Sequence, residues 1–185
     1  MSDDSMYSEI PQNGFSKYAV SCDYGTVNPA SFGLWGKNDD IWYRIDEYYF
    51  DSKAEGYQRT DEEHYTALCE LVKDKELEFL CVDPSASSFI EVIRRHGRFS
   101  VIKAENNVID GIRKVSSALK DRKVRICNNC VYSKKEFSLY RWNENSVNDS
   151  VIKADDHAMD DIRYFVSTVD FENSDDVVAV ALKRY

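Results

Sequence analysis

Carboxylates at the ends of apolar runs are the side chains with the clearest capacity for chemistry. Asp23 closes the run Tyr18-Ala19-Val20-Ser21-Cys22, and Asp83 closes Phe79-Leu80-Cys81-Val82. A third acid is available among Asp155, Asp156, Asp160 and Asp161. A charge carried into an apolar setting is costly to desolvate unless something compensates it, and a metal ion is a common compensator. A lone strand-terminal Asp more often simply starts a turn; the recurrence of the pattern is what points to a shared site. Hard oxygen ligands favour Mg²⁺ or Mn²⁺. Two such ions, about 3.5–4 Å apart on shared carboxylates, activate water and support the departing oxygen in a phosphodiester displacement. His157 lies three residues before Asp160, so on a helix the two share a face. There it is a candidate ligand, proton shuttle or positioning group.

Those acids can meet only if strands deliver them to one edge. Alternation and turn residues predict strands over 18–24, 30–37 and 41–50, with Gly36-Lys37-Asn38-Asp39 as the hairpin turn between the second and third. Thr60-Asp61-Glu62-Glu63 reads as a capping box, followed by an apolar face at Tyr65, Leu68, Cys69 and Val72. From there strand and helix alternate: a strand ending at Asp83 and halted by Pro84, a helix over 88–96 stopped by Gly97, a strand over 100–103, a helix over 108–121 and a strand over 124–126. A further helix starts at Asn129 or Cys130 and runs to Tyr140, and 141–152 reads as a protruding hairpin or loop. The last helix, 156–169, carries an apolar stripe at Ala158, Ile162, Phe165 and Val169. An acidic patch at 170–176 and a short strand or tail at 177–182 follow. Residues 1–16 lack periodicity and read as a tail or interdomain linker remnant, leaving 17–185 as a single domain. An antiparallel three-strand meander followed by alternating helices and strands predicts a ribonuclease H-like α/β fold, in which acids at the ends of the first and fourth strands converge with one from a late helix.

Composition narrows the function classes. With 185 residues, 43% of them hydrophobic, the chain can bury a proper core. No run approaches the ~18 apolar residues of a membrane span, and the start lacks the regions of a signal peptide, so an intracellular, soluble protein is expected. The five cysteines are odd in number and scattered, as suits reduced thiols. Cys127-Asn128-Asn129-Cys130 would be half of a zinc site, but no second pair completes it. The net charge of −9 argues against a nucleic-acid partner, yet its distribution does not. Residues 94–153 hold 14 Lys and Arg against 6 Asp and Glu, leaving 10 against 27 elsewhere. A chain segregated in this way can offer one basic face to phosphates. Arg141 and Lys153, flanking the expected hairpin, are candidate phosphate contacts.

Three motifs in order carry a family resemblance. Asp156-His157-Ala158-Met159-Asp160-Asp161-Ile162-Arg163-Tyr164 resembles the Asp-x-His-x-x-Asp-Ala-x-Arg-Tyr signature near the end of the C-terminal nuclease domain of phage terminase large subunits. Cys22-Asp23-Tyr24-Gly25 with Asn28-Pro29 resembles that family's first acidic motif, and Val82-Asp83-Pro84-Ser85 its second. The resemblance implies a metal-dependent endonuclease that cuts double-stranded viral DNA during genome packaging, with low sequence specificity and two divalent cations, Mg²⁺ or Mn²⁺. It implies Asp23, Asp83 and Asp160 as metal-binding acids and His157 as a further catalytic group. Asp161 stands where the family often has a small residue, which leaves Asp160 and Asp161 as rival ligands. Glu47, near the end of the third strand, is a candidate additional acid, though it reads first as structural or as a support behind the metal-binding acids. The chain has no Gly-x4-Gly-Lys-Ser/Thr phosphate loop, so the expectation is an isolated nuclease domain. Its implied partners are DNA, the terminase ATPase domain, the small terminase subunit and the portal, and its implied place is the cytoplasm of the infected or lysogenic host. Two other readings come from different classes. Asp23-Tyr24-Gly25-Thr26 also resembles the phosphate loop of an actin or sugar-kinase lobe, and a non-catalytic domain docking DNA or portal would need no metal.

Overall fold

A computed structural model describes residues 6–139, 156–169 and 171. Seven strands form one mixed sheet: β1 (Tyr7–Ser8), β2 (Lys17–Asp23), β3 (Ala30–Asn38), β4 (Ile41–Phe50), β5 (Phe79–Val82), β6 (Val101–Lys103) and β7 (Val124–Cys127). They lie in the order β1-β7-β4-β3-β2-β5-β6, and β3 runs antiparallel to both its neighbours while the other pairings are parallel. The helices are α1 (Ser52–Glu55), α2 (Asp61–Val72), α3 (Ser87–His96), α4 (Val108–Lys120), α5 (Val131–Leu139) and α6 (His157–Thr168). The predicted meander and alternation are both present, and the architecture is ribonuclease H-like. Thr60 and Glu63 form the expected capping box on α2, and α3 ends at Gly97 in the left-handed conformation, φ 68°.

Three local predictions need correction. Residues 7 and 8, expected within a tail, pair with Ile126 and Cys127 and add an edge strand. A two-residue strand is too short to show periodicity, so its apolar neighbours could not announce it. The hairpin turn falls at Asp39-Asp40, with Asp39 at φ 52°, rather than at Gly36. Gly36 instead lies inside β3 beneath the Phe15 ring, which would stand 2.6 Å from a Cβ placed there. The four-residue α1 was not foreseen; Asp51 caps it by accepting from the Lys53 and Ala54 amides. The expected hairpin at 141–152, the acidic patch at 170–176 and the strand or tail at 177–182 lie outside the described residues.

Helices cover both faces of the sheet, which is why β2, β3 and β5 read as nearly continuous apolar runs. On one face Phe32 stacks on Phe89 of α3 (5.5 Å) and meets His64 of α2 (6.1 Å). On the other lies α6, with Phe165 stacked on Trp35 (3.8 Å, 5°) and edge-on to Trp42 (5.3 Å). The predicted stripe of Ala158, Ile162, Phe165 and Val169 is buried. So are Asp161 and Arg163, because α6 is sandwiched between the sheet and α4 rather than lying on the surface.

Asp161 has a purpose-built partner. Arg44 Nη2 donates to Asp161 Oδ2 (2.7 Å), Ser31 Oγ donates to the same oxygen (3.0 Å), and Ser21 Oγ donates to Oδ1. Trp35 Nε1 in turn donates to Ser21 Oγ (2.8 Å). Two backbone features let Arg44 arrive. The β3–β4 register slips between Leu34, opposite Asp46, and Trp35, opposite Arg44, so Ile45 is the extra residue of a bulge. Because side chains alternate along a strand, that one extra residue turns Arg44 towards α6. Gly33 leaves its path open: a Cβ there would stand 1.8 Å from Arg44 Nη1. Burial alone would weaken the charge on Arg44, but Asp161 and then Glu47 hold the guanidinium firmly protonated. Arg44→Met would strand a buried carboxylate, so urea unfolding should show a loss of about 3–5 kcal/mol; a loss below about 1 kcal/mol would be the mark of a surface-type pair.

Candidate active site

Strand register brings the first two acids together. Cys22 of β2 lies opposite Val82 of the parallel β5, so Asp23 and Asp83 leave adjacent strands side by side, and the Asp83 amide donates to the Cys22 carbonyl (3.0 Å). Pro84 ends the strand as expected, and Asp83 Oδ1 accepts from the Ser85 amide (2.9 Å), which fixes the turn. The first turn of α6 lies over this edge. His157 Nδ1 is hydrogen-bonded to Asp23 Oδ2 at 2.8 Å. Asp160 Oδ1 accepts from Arg163 Nη2 (2.9 Å) and Nε (3.1 Å). Asp23, Asp83, His157 and Asp160 all line one cavity of about 710 Å³, together with Asn106, Arg163 and Tyr164.

The neighbouring acids of α6 therefore do different work. Consecutive residues differ by about 100° around a helix, so Asp160 faces the cavity while Asp161 is fully buried against Arg44. Arg163 reaches Asp160 by crossing Gly111 of α4, where a Cβ would stand 2.5 Å from its Cγ. Its Nη2 also donates to Asn106 Oδ1 (3.3 Å).

Burial sets the electrostatics. It pushes the Asp23 carboxyl up to about 6; the His157 hydrogen bond opposes this, and the charges of Asp160 and Asp161 add to it. Burial acts against a charged His157, yet the bond to Asp23 and the charges of Asp23, Asp156 and Glu136 outweigh it and raise the imidazole. Glu136 of α5 is buried, and it too is pushed up, to about 7, by burial against hydrogen bonds from Tyr49, Ala158 and Met159. Its Oε2 accepts from the Ala158 (2.7 Å) and Met159 (3.3 Å) amides, so it caps the helix that carries the site.

Among the described residues, no three His, Cys, Asp or Glu side chains close on a single point as a ready-made metal cluster. The hydrogen bonds explain why: Asp23 is turned to His157, Asp160 to Arg163 and Asp83 to the Ser85 amide. The donor chemistry nonetheless fits a hard divalent cation, since three carboxylates share one cavity and burial makes the Asp23 charge costly enough for a cation to relieve it.

All four predicted catalytic positions reach this cavity. Arg141, Lys153 and Asp155 lie outside the described residues, and Asp156 lines the cavity wall. Glu47 stays out of the site and is structural: it accepts from the Tyr132 amide (2.7 Å) and from Ser133 Oγ (2.6 Å), tying β4 to α5. Cys127 and Cys130 are buried free thiols. His64 sits in an aromatic cluster, and His96 pairs with Glu62 (2.8 Å). Sequence reasoning gave no role to Arg163, Asn106, Glu136 or Lys53. Arg163 had a signal, its i,i+3 spacing from Asp160; Glu136, 22 positions before Ala158, had none.

Among solved structures the chain is similar to the large terminase of a thermophilic bacteriophage in complex with ADP, at TM-score 0.86 and 40% identity, over 91% of this chain and 43% of that one. It therefore spans less than half the length of that relative. It is also similar to the P22 large terminase nuclease domain, at TM-score 0.68 and 16% identity over 90% of this chain and 89% of that one. The bacteriophage SPP1 large terminase nuclease domain with bound Mn matches at TM-score 0.57 and 18% identity, over 85% of this chain and 92% of that one. At those two identities the likeness speaks for the fold alone. No protein-family model and no curated protein matches the chain.

The Glu136 cap yields a pH test. Its folded pKa of about 7 lies above the ordinary value of 4.5, so the fold holds the proton more tightly than the unfolded chain and loses stability as pH rises through that window. Glu136→Gln keeps a carbonyl acceptor and removes the titration. In urea unfolding, wild type should weaken relative to this variant by about 2 kcal/mol between about pH 5 and pH 8; parallel profiles would contradict the burial of an ionising cap.

Proposed function

We infer that this chain, a nuclease domain of the phage large-terminase family, is a metal-dependent endonuclease that cuts double-stranded viral DNA during genome packaging. One observation carries the reading: Asp23 and Asp83 leave adjacent parallel strands side by side, and α6 sets His157 and Asp160 on the same cavity. Asp23, Asp83 and Asp160 would hold two divalent cations, and the Mn bound by the SPP1 domain makes Mn²⁺ or Mg²⁺ the natural candidates. Such ions supply Lewis-acid activation of water and neutralise charge building on the phosphate.

The remaining work falls to this chain's own groups. The Asp23–His157 hydrogen bond fixes the imidazole through Nδ1, which leaves Nε2 as the nitrogen that exchanges a proton with the cavity. Arg163 holds Asp160 in place and Gly111 gives Arg163 its passage. Contacts to backbone phosphates carry no sequence information, so a domain that grips DNA mainly through them should cut with weak specificity. By family, the ATPase domain, the small subunit and the portal are the proposed partners, and the host cytoplasm the place of action. No helix among the described residues is long and apolar enough to cross a membrane.

Asp23→Asn should abolish Mn²⁺-dependent plasmid nicking while leaving the circular-dichroism spectrum and melting temperature near those of wild type; undiminished nicking would refute the assignment. A readout independent of turnover comes from pH. The Asp23 carboxyl, at about 6, must lose its proton to bind a cation, so protons compete below that value. The rise in melting temperature on adding Mn²⁺ should be present at about pH 8, shrink by about pH 5, and be absent in Asp23→Asn at both.

A further inference from the structure

The wall of the cavity on the β2–β3 side is built from two loops that hold each other. Gly25 lets the first double back tightly, since a Cβ there would stand 2.4 Å from the Asn28 carbonyl oxygen and 2.8 Å from that of Pro29. Ser52 Oγ donates to the Val27 carbonyl (2.9 Å), which staples this loop to α1. Lys53 Nζ donates to Asn28 Oδ1 at 3.4 Å. The edge so formed carries exposed Lys53 on one loop and, on the other, Val27, which is 54% exposed.

The charges around the cavity make that lysine informative. Its described lining includes five carboxylates, Asp23, Asp51, Asp83, Asp156 and Asp160, and, besides the His157 imidazole bonded to Asp23, two permanent cations, Lys53 and Arg163. The Arg163 side chain is 2% exposed and committed to Asp160 and Asn106. Lys53 is solvent-exposed, and its bond to the neutral Asn28 amide is long, so moving the ammonium to a better acceptor costs little. A polyanion approaching an acidic cavity is attracted by a free cation at its edge, beyond the carboxylates that would hold metal.

We propose that Lys53 is a nucleic-acid-binding residue whose ammonium grips a backbone phosphate beside the one that is cut, so that the strand is held in register across the carboxylates. This rests on the endonuclease reading above. A compact ammonium suits the task, because such a contact positions the backbone and does not need the two-pronged geometry of a guanidinium. The stapled loops give it a fixed base, so the only part that must move is the side chain itself.

The test is fluorescence anisotropy of a short labelled duplex with the whole chain in EDTA, titrated over a range of KCl, for wild type, Lys53→Ala and Lys53→Arg. Lys53→Ala should weaken binding about three- to tenfold, and its plot of log K against log salt should be shallower by about 0.9. Lys53→Arg should restore both. Lys53 is on the surface, so an unchanged melting temperature will exclude unfolding as the cause. Identical affinity and slope in Lys53→Ala would overturn the proposal, and Mn²⁺-dependent nicking by wild type would then leave the endonuclease reading standing. Lys53-dependent binding without any nicking by wild type would keep Lys53 as a backbone contact and remove the endonuclease reading, and with it the placement beside a cut phosphate.

Discussion

The Arg44 guanidinium passes over β3 at Gly33 and meets Asp161 on α6, in a space with no water-facing side. Two charges taken out of water are a poor source of stability but a strict constraint on geometry, because any arrangement that separates them is penalised heavily. The spacing shows what is constrained. His157 and Asp161 are four helical residues apart, a rise of about 6 Å, and they bond to Asp23 and Ser21, two strand residues apart, about 6.7 Å. Helix and strand thus run side by side in opposite directions with matching steps, and Phe165 continues the match onto Trp35.

With α6 pinned at Asp161, the residue before it has no choice but to face the cavity. The acids that remain there are held apart by protein donors: Asp23 by His157, Asp160 by Arg163, Asp83 by a backbone amide. These partners reduce repulsion among like charges brought together on one sheet edge. A cation entering the cavity would share or displace them, so the same hydrogen bonds that make the folded protein tolerable set how tightly it can hold a metal.

Much of this was legible in the chain. Asp23, Asp83 and the His157–Asp160 pair stood out because apolar runs ended on charge and because helical spacing is a local property. The capping box of α2, the glycine stop of α3 and the apolar stripe of α6 were readable for the same reason. Choosing between Asp160 and Asp161 was not, since that depends on a bulge at Ile45 and a missing side chain at Gly33, features that acquire meaning only once β3, β4 and α6 are packed. The hairpin turn was misplaced because Gly36 is used for close packing against Phe15 rather than for turning. Glu136 was invisible because its partners are amides far along the chain. That Lys53 lines the cavity was hidden because a lone lysine in an acidic segment has no distinguishing pattern.

The central claim is that acids far apart in sequence form one cation site while Asp161 belongs to the core. Anomalous scattering from a crystal of the whole chain soaked in Mn²⁺ tests it most directly. Manganese should appear within coordinating distance of Asp23, Asp83 and Asp160, with Asp161 still paired to Arg44. Manganese held by Asp161, or bound with Asp83 out of contact, would contradict it.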